Sequence, residues 1–234
     1  MKKGFLSVVL FTLAWTFNGV AMGGEHMYSE VGKPESQKLR HVNVLLYDGF
    51  EILDAFGPAE ALSRSDYYDI GYYSMNGGVI MGNGNTSVLT EPVSAIKHHE
   101  ILLLPGGTGA RALVNDPAFI GLVKTLAESS QYVLTVCTGS MLLGKTGLLD
   151  GRKATTNKLA YANVIKTNEK VLWQKNARWV IDGKYYTSSG VSAGTDMSIG
   201  FIADVHGLKA AEEAAYKIEY EWNRDSSRDP FRVE

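Results

Sequence analysis

Apolar residues fall along this chain in two alternating rhythms. Short runs rich in β-formers occupy 41–47, 67–74, 99–104 and 132–136. Between them, 51–63 and 117–129 carry apolar side chains at three- and four-residue spacing, the period of a helix with one buried face. Asn115-Asp116 with Pro117 mark the start of the second of these helices. The turn residues at 76–78 and 83–85 punctuate two short strands and predict a small β-hairpin. Further on, the pattern predicts a short strand at 153–156 and a helix at 159–165. A second hairpin, 178–181 with 185–188, turns at Asp182-Gly183, and two helices close the chain at 194–206 and 209–222. Strands that alternate with helices predict an α/β fold, a mostly parallel sheet flanked by helices on both faces. The run at 99–104 is almost continuously apolar, as expected of a strand covered on both sides.

The 234 residues suffice for one such domain with a sizeable core. The first 23 residues stand apart from it. Lys2 and Lys3 precede an apolar stretch at 5–17, and small residues follow at Gly19, Ala21 and Gly23. That order is a secretory signal pattern, too short in its apolar part for a membrane span. The expected organisation is a signal peptide at 1–23, a polar leader at 24–40, a single α/β domain at 41–223 and a C-terminal tail at 224–234. Cleavage would deliver a periplasmic protein if the host is Gram-negative, with no membrane association after signal removal. Formal net charge is −2, with no basic footprint that would call for nucleic acid. No metal-ligand spacing is present, neither H-E-x-x-H nor C-x-x-C, and no phosphate loop, so neither metal nor cofactor is expected.

The candidate chemistry gathers around 132–144, where a buried strand ends in Cys137 and a Thr-Gly-Ser turn opens an apolar helix. Cys137 is the chain's single cysteine. A helix N-terminus offers free N–H groups and a positive dipole end, both of which favour thiolate. The alternative is a small inert hydrophobe in a core. Asp54 follows the first strand and reads equally well as a helix cap or as an acid/base group. Gly106 and Gly107 follow the third buried strand, where they either make a tight turn or aim backbone N–H groups at a developing negative charge. Thr138 reads as a cap or a substrate-facing hydroxyl. In parallel sheets ligands sit beyond the carboxyl ends of the strands, and Asp54, Gly107 and Cys137 are all assigned to that end.

Four stretches carry a resemblance: 45–58 (LLYDGFEILDAFGP), 103–107 (LLPGG), 136–139 (VCTG) and 187–194 (TSSGVSAG). Together they are similar to the ThiJ/PfpI superfamily, the class I glutamine amidotransferase-like fold, over about 41–206. The resemblance implies a flavodoxin-like three-layer sandwich. The pairing of Asp-x-x-Gly-Pro with Cys-Thr-Gly resembles the isonitrile hydratase branch. It implies a cysteine nucleophile at Cys137, an acid/base carboxyl at Asp54 and a substrate-facing hydroxyl at Thr138. It implies an oxyanion site from the N–H groups of Gly107 and Thr138, with Gly106 and Gly190 beside the substrate. It also implies a homodimer acting on a small molecule.

One departure stands out. Many relatives carry histidine in an Ala-Thr-Thr-His pattern, and this chain has Ala154-Thr-Thr-Asn157. His98 and His99 precede their strand and belong to the opposite edge of the sheet, and His206 lacks the His-x-Glu context of amidotransferases. Without histidine, peptidase- and amidotransferase-like chemistry is not expected. Hydration of an isonitrile to an N-substituted formamide fits a thiol and a carboxyl better, which makes an exported cysteine-dependent small-molecule enzyme the favoured expectation. A redox or stress-response protein oxidised at the cysteine is one alternative, and a glyoxalase- or deglycase-like enzyme is another. Some superfamily regulators add DNA-binding helices after this domain. With 28 residues after His206, a transcription factor is not expected. Glu51 is assigned to the surface and Asp196 to structure. Trp173, Trp179, Tyr185 and Tyr186 are assigned to packing.

Overall fold

The computed structural model describes residues 40–232. The expected signal peptide, and the leader up to residue 39, lie outside the described residues. The first strand, β1 (Arg40–Leu45), pairs in parallel with β2 (Tyr68–Ser74) on one side and β5 (Ile101–Leu104) on the other. Next to β5 lies β6 (Tyr132–Thr135), and beyond it β10 (Tyr185–Ser188), both parallel. Antiparallel hairpins finish the two edges. On one side β3 (Gly78–Met81) pairs with β4 (Ser87–Pro92), and on the other β9 (Trp179–Asp182) pairs with β10. The resulting order is β3-β4-β2-β1-β5-β6-β10-β9.

Every residue of β5 is buried, as its unbroken apolar run requires of a central strand. Helix α1 (Ile52–Ser63) packs with α6 (Ala193–His206) and α7 (Leu208–Lys217) as one layer. In the other, α2 (Ala110–Leu113) and α3 (Pro117–Ser129) pack on α4 (Gly139–Lys145). Asp116 caps α3, accepting N–H bonds from Ala118 (2.9 Å) and Phe119 (3.3 Å). This is the expected three-layer α/β sandwich, and the strands run so that the turns after β1, β5 and β6 share one rim.

Three elements differ from expectation. The strand expected at 153–156 shrinks to β7 (Lys153–Ala154), paired with β8 (Leu172–Trp173) outside the main sheet. The Thr155 N–H donates to Thr187 Oγ1 (2.9 Å) and the Thr156 hydroxyl to the carbonyl of Cys137 (3.0 Å), so the chain peels away from its ladder toward the rim. The helix expected at 159–165 becomes α5 (Tyr161–Val164) and a 3₁₀ turn at Ile165–Thr167, with Leu159 97% exposed. The last helix stops at Lys217, because Glu219 takes a left-handed conformation (φ 50°) and turns the chain back.

The tail that follows is docked. The Trp222 indole N–H donates to the carbonyl of Asp196 (3.1 Å), and Ser226 O accepts from the N–H of Arg178 (2.8 Å). Asp229 is buried beside Arg178, whose Nε donates to Asp196 Oδ2 (2.7 Å). Residues 224–232 thus belong to the domain, and Asp196 is structural as expected.

Candidate active site

Cys137 stands between β6 and α4 with φ +56°. A non-glycine residue there carries about 1–3 kcal/mol of backbone strain. The surroundings hold it in place. Its N–H donates to the carbonyl of Ser189 (3.0 Å), and its own carbonyl accepts from the hydroxyls of Ser140 (2.9 Å) and Thr156 (3.0 Å). Gly139 packs against the Leu104 carbonyl at a separation that leaves no room for a side chain. The strand, the turn and the helix therefore present the sulfur at the rim, where it lines a cleft of about 540 Å³.

Asp54, in the first turn of α1, is fully buried. The residue at the cap position is Glu51, so Asp54 is not the helix cap. Its Oδ2 accepts from the N–H of Gly106 (2.9 Å), across 52 residues of sequence. Oδ1 has no hydrogen-bond partner among the described residues, and the carboxyl neighbours the Cys137 thiol. Burial pushes the Asp54 carboxyl up to about 7. The Gly106 N–H pulls it down, the charge of Glu51 pushes it further up, and the thiol lowers it slightly. A buried carboxyl near neutrality is equipped to take and return a proton.

The thiol goes the opposite way from the expectation of a helix-activated thiolate. Burial first, and then the Asp54 charge, push Cys137 up to about 12, against N–H donors at Thr138 and Val191 and the side chain of Asn157. A seven-residue helix does not offset desolvation next to a carboxylate. The resting pair at neutral pH is a thiol facing a half-ionised acid.

The two expected oxyanion donors are both engaged. The Gly107 N–H donates to Thr138 Oγ1 (3.0 Å), and the Thr138 N–H points at the sulfur. Thr138 makes no side-chain cap to α4. Its hydroxyl ties the cysteine turn to the turn after β5. Gly106 does not line the cleft. A Cβ there would fall 2.5 Å from the Thr138 nitrogen and 2.9 Å from Asp54 Oδ2, so glycine lets the acid and the turn approach. Gly190 also stands behind the cleft wall, where a Cβ would lie 2.6 Å from Asn157 Nδ2. Its neighbour Val191 lines the cleft.

Asn157 is the residue that reading the sequence undervalued. Its Oδ1 accepts the N–H of Ala160 (2.8 Å), which leaves the amide NH₂ to donate to sulfur. The amide therefore occupies the place where a histidine was sought. Glu51, assigned to the surface, lines the cleft instead, with Oε2 accepting from Asn83 Nδ2 (2.6 Å). The signal for it was available. Glu51 lies three residues before Asp54 on a helical pattern and sits next to the Asp48-Gly49 turn at the rim. Among the described residues no histidine acts on the thiol, and His206 stacks on Tyr67 (3.8 Å between ring centroids). No group of three or more His, Cys, Asp or Glu side chains poised to hold a metal occurs among the described residues.

A cysteine on a strained strand-to-helix turn, over a parallel sheet and against a buried carboxyl, defines an α/β protein with a cysteine elbow. The profile of the DJ-1/PfpI family matches residues 40–203. The chain belongs to that family. It is 27% identical over 182 residues to an isonitrile hydratase of Pseudomonas putida, covering 76% of this chain and 78% of that one. It is also 27% identical over 177 residues to the HTH-type transcriptional regulator CdhR of Pseudomonas aeruginosa, covering 73% of this chain and 52% of the regulator. Among solved structures, a ThiJ/PfpI family protein from Pseudomonas syringae superposes with a TM-score of 0.70 at 22% identity, covering 83% of this chain and 84% of that one.

Proposed function

We propose that this protein is a cysteine-dependent enzyme that hydrates an isonitrile to the N-substituted formamide. The observation that carries this is the placement of Asp54, fully buried beside the Cys137 thiol, with one oxygen on the Gly106 N–H and the other without a hydrogen-bond partner. An isonitrile carbon must gain a sulfur and a hydrogen. The Cys137 thiol yields its proton to Asp54 as sulfur bonds to that carbon, and Asp54 then protonates the same carbon. The product of this step is a thioimidate, R–N=CH–S. Water adds to its carbon, the C–S bond breaks, and R–NH–CHO leaves as the thiol is restored. No oxidant, metal or external base enters the balance. Likeness to the isonitrile hydratase supports the assignment.

The Thr138 and Val191 N–H groups and the Asn157 amide, all directed at sulfur, are placed to stabilise charge as the thiol gives up its proton. Such donors act without reorganising during the reaction. The favoured resting state has one proton on the pair, so kcat/KM falls tenfold per pH unit below about 7, where Asp54 becomes neutral. The test is turnover of cyclohexyl isonitrile by wild type, Cys137→Ala and Asp54→Asn, followed by formamide release. Equal rates for wild type and either variant would remove that residue from the reaction. We further propose that residues 1–23 are an export signal and that the mature enzyme is a homodimer.

A further inference from the structure

The cleft beside Cys137 is lined in part by residues of α2, α4 and α5. Its wall there is mostly apolar, with Val114, Met141, Ala160 and Val164 beside Asn163 and Thr167. Besides Cys137, two ionisable side chains line the cleft, Glu51 and Arg111. They are not equivalent. Glu51 already has a partner in Asn83 (2.6 Å). Arg111, exposed on α2, makes no ion pair and no side-chain hydrogen bond among the described residues. A guanidinium that borders an apolar cleft without a partner is a ready receptor for a planar anion, which it grips through two parallel N–H bonds.

We infer that Arg111 selects for a substrate that carries a carboxylate. The inference deepens the proposed function by naming the substrate class, and it rests on that reading only in taking the cleft as the substrate site. The thiol meets the electrophilic carbon, the Met141 and Val164 wall takes the hydrocarbon, and Arg111 takes the anion. A neutral isonitrile fills the first two positions and leaves the third vacant. A cationic one meets Arg111 as a like charge.

The experiment separates this inference from the isonitrile chemistry. Cys137 is alkylated at pH 9 with iodoacetate and with iodoacetamide, reagents of nearly equal size that differ in charge. The ratio of the two rates is measured for wild type, Arg111→Gln and Arg111→Lys. The expected result is a ratio in wild type about two- to fivefold above that of Arg111→Gln, partly retained in Arg111→Lys and reduced by salt. In a second arm, 4-isocyanobenzoate and its methyl ester are compared as substrates, and the same preference is expected in kcat/KM. Equal alkylation ratios in all three proteins would overturn the role of Arg111. A charge-dependent ratio with no turnover of either isonitrile would retain the anion site and overturn the proposed reaction.

Discussion

Replacing Asp54 by Asn makes the buried acid testable through stability as well as rate. The acid is held near 7 in the folded protein against 3.8 in an ordinary carboxyl. Folding therefore favours its neutral form. Between about pH 4 and 7 the folded state binds the proton that the unfolded state has lost, so wild-type stability falls as pH rises through this window. Above 7 the full cost of a buried charge is present. At about 1.4 kcal/mol per pH unit, the interval between 3.8 and 7 corresponds to about 4 kcal/mol. Asparagine has nearly the same shape. Its Oδ1 can keep the Gly106 N–H, and its amide carries no charge. The variant is expected to be as stable as wild type, or slightly less so, near pH 4.5, and more stable by up to about 4 kcal/mol at pH 8.5. In a domain of this size that corresponds to a difference of roughly 10 °C in Tm between the two ends. Urea denaturation at both pH values measures it. Other raised carboxyls, such as Asp196 and Asp204, act in both proteins and cancel in the comparison. If the two unfolding curves shift in parallel from pH 4.5 to 8.5, Asp54 is an ordinary carboxylate and cannot serve as the proton carrier.

Three further outcomes are expected. Gly190→Ala pushes Asn157 from the sulfur, because its Cβ would lie 2.6 Å from Nδ2. Formamide release should fall at least tenfold while thermal unfolding stays within a few degrees of wild type, and unchanged turnover would rule out a role for the amide. Arg178→Met strands the buried carboxylates of Asp196 and Asp229, and should cost about 3–5 kcal/mol in urea denaturation. Expression in a Gram-negative host with N-terminal sequencing of the periplasmic fraction should find the chain beginning at residue 22 or 24. An intact Met1 would refute export.

Much of this architecture was readable from residues alone, for identifiable reasons. The strand at 99–104 and the helix at 117–129 show their environment in their own periodicity, because one is buried on both faces and the other on one. The meeting of Asp54, Gly107 and Cys137 followed from sheet geometry, which gathers loop residues at one rim whatever their separation in sequence. The chemistry at that rim was harder to see. A helix end suggested a thiolate, yet the balance was decided by desolvation and by a carboxylate from another element, neither of which is a local property. Asn157 read as a missing histidine, since its contact with sulfur depends on a two-residue strand giving way to hydroxyl bonds at Thr155 and Thr156. The docked tail was missed because what holds it, a buried Arg178 shared by Asp196 and Asp229, connects distant segments.

The complete enclosure of Asp54 has a consequence for isotopes. Bulk solvent reaches the cleft but not the carboxyl, so the sulfur is the acid's one door. Once that sulfur is bonded to carbon, the door is shut, and the hydrogen stored behind it has no route to exchange before delivery. Enzyme already carrying substrate bonded to sulfur in ordinary water, when diluted into deuterium oxide, should place protium at the formyl carbon in that turnover. Deuterium should enter that position from the second turnover onward.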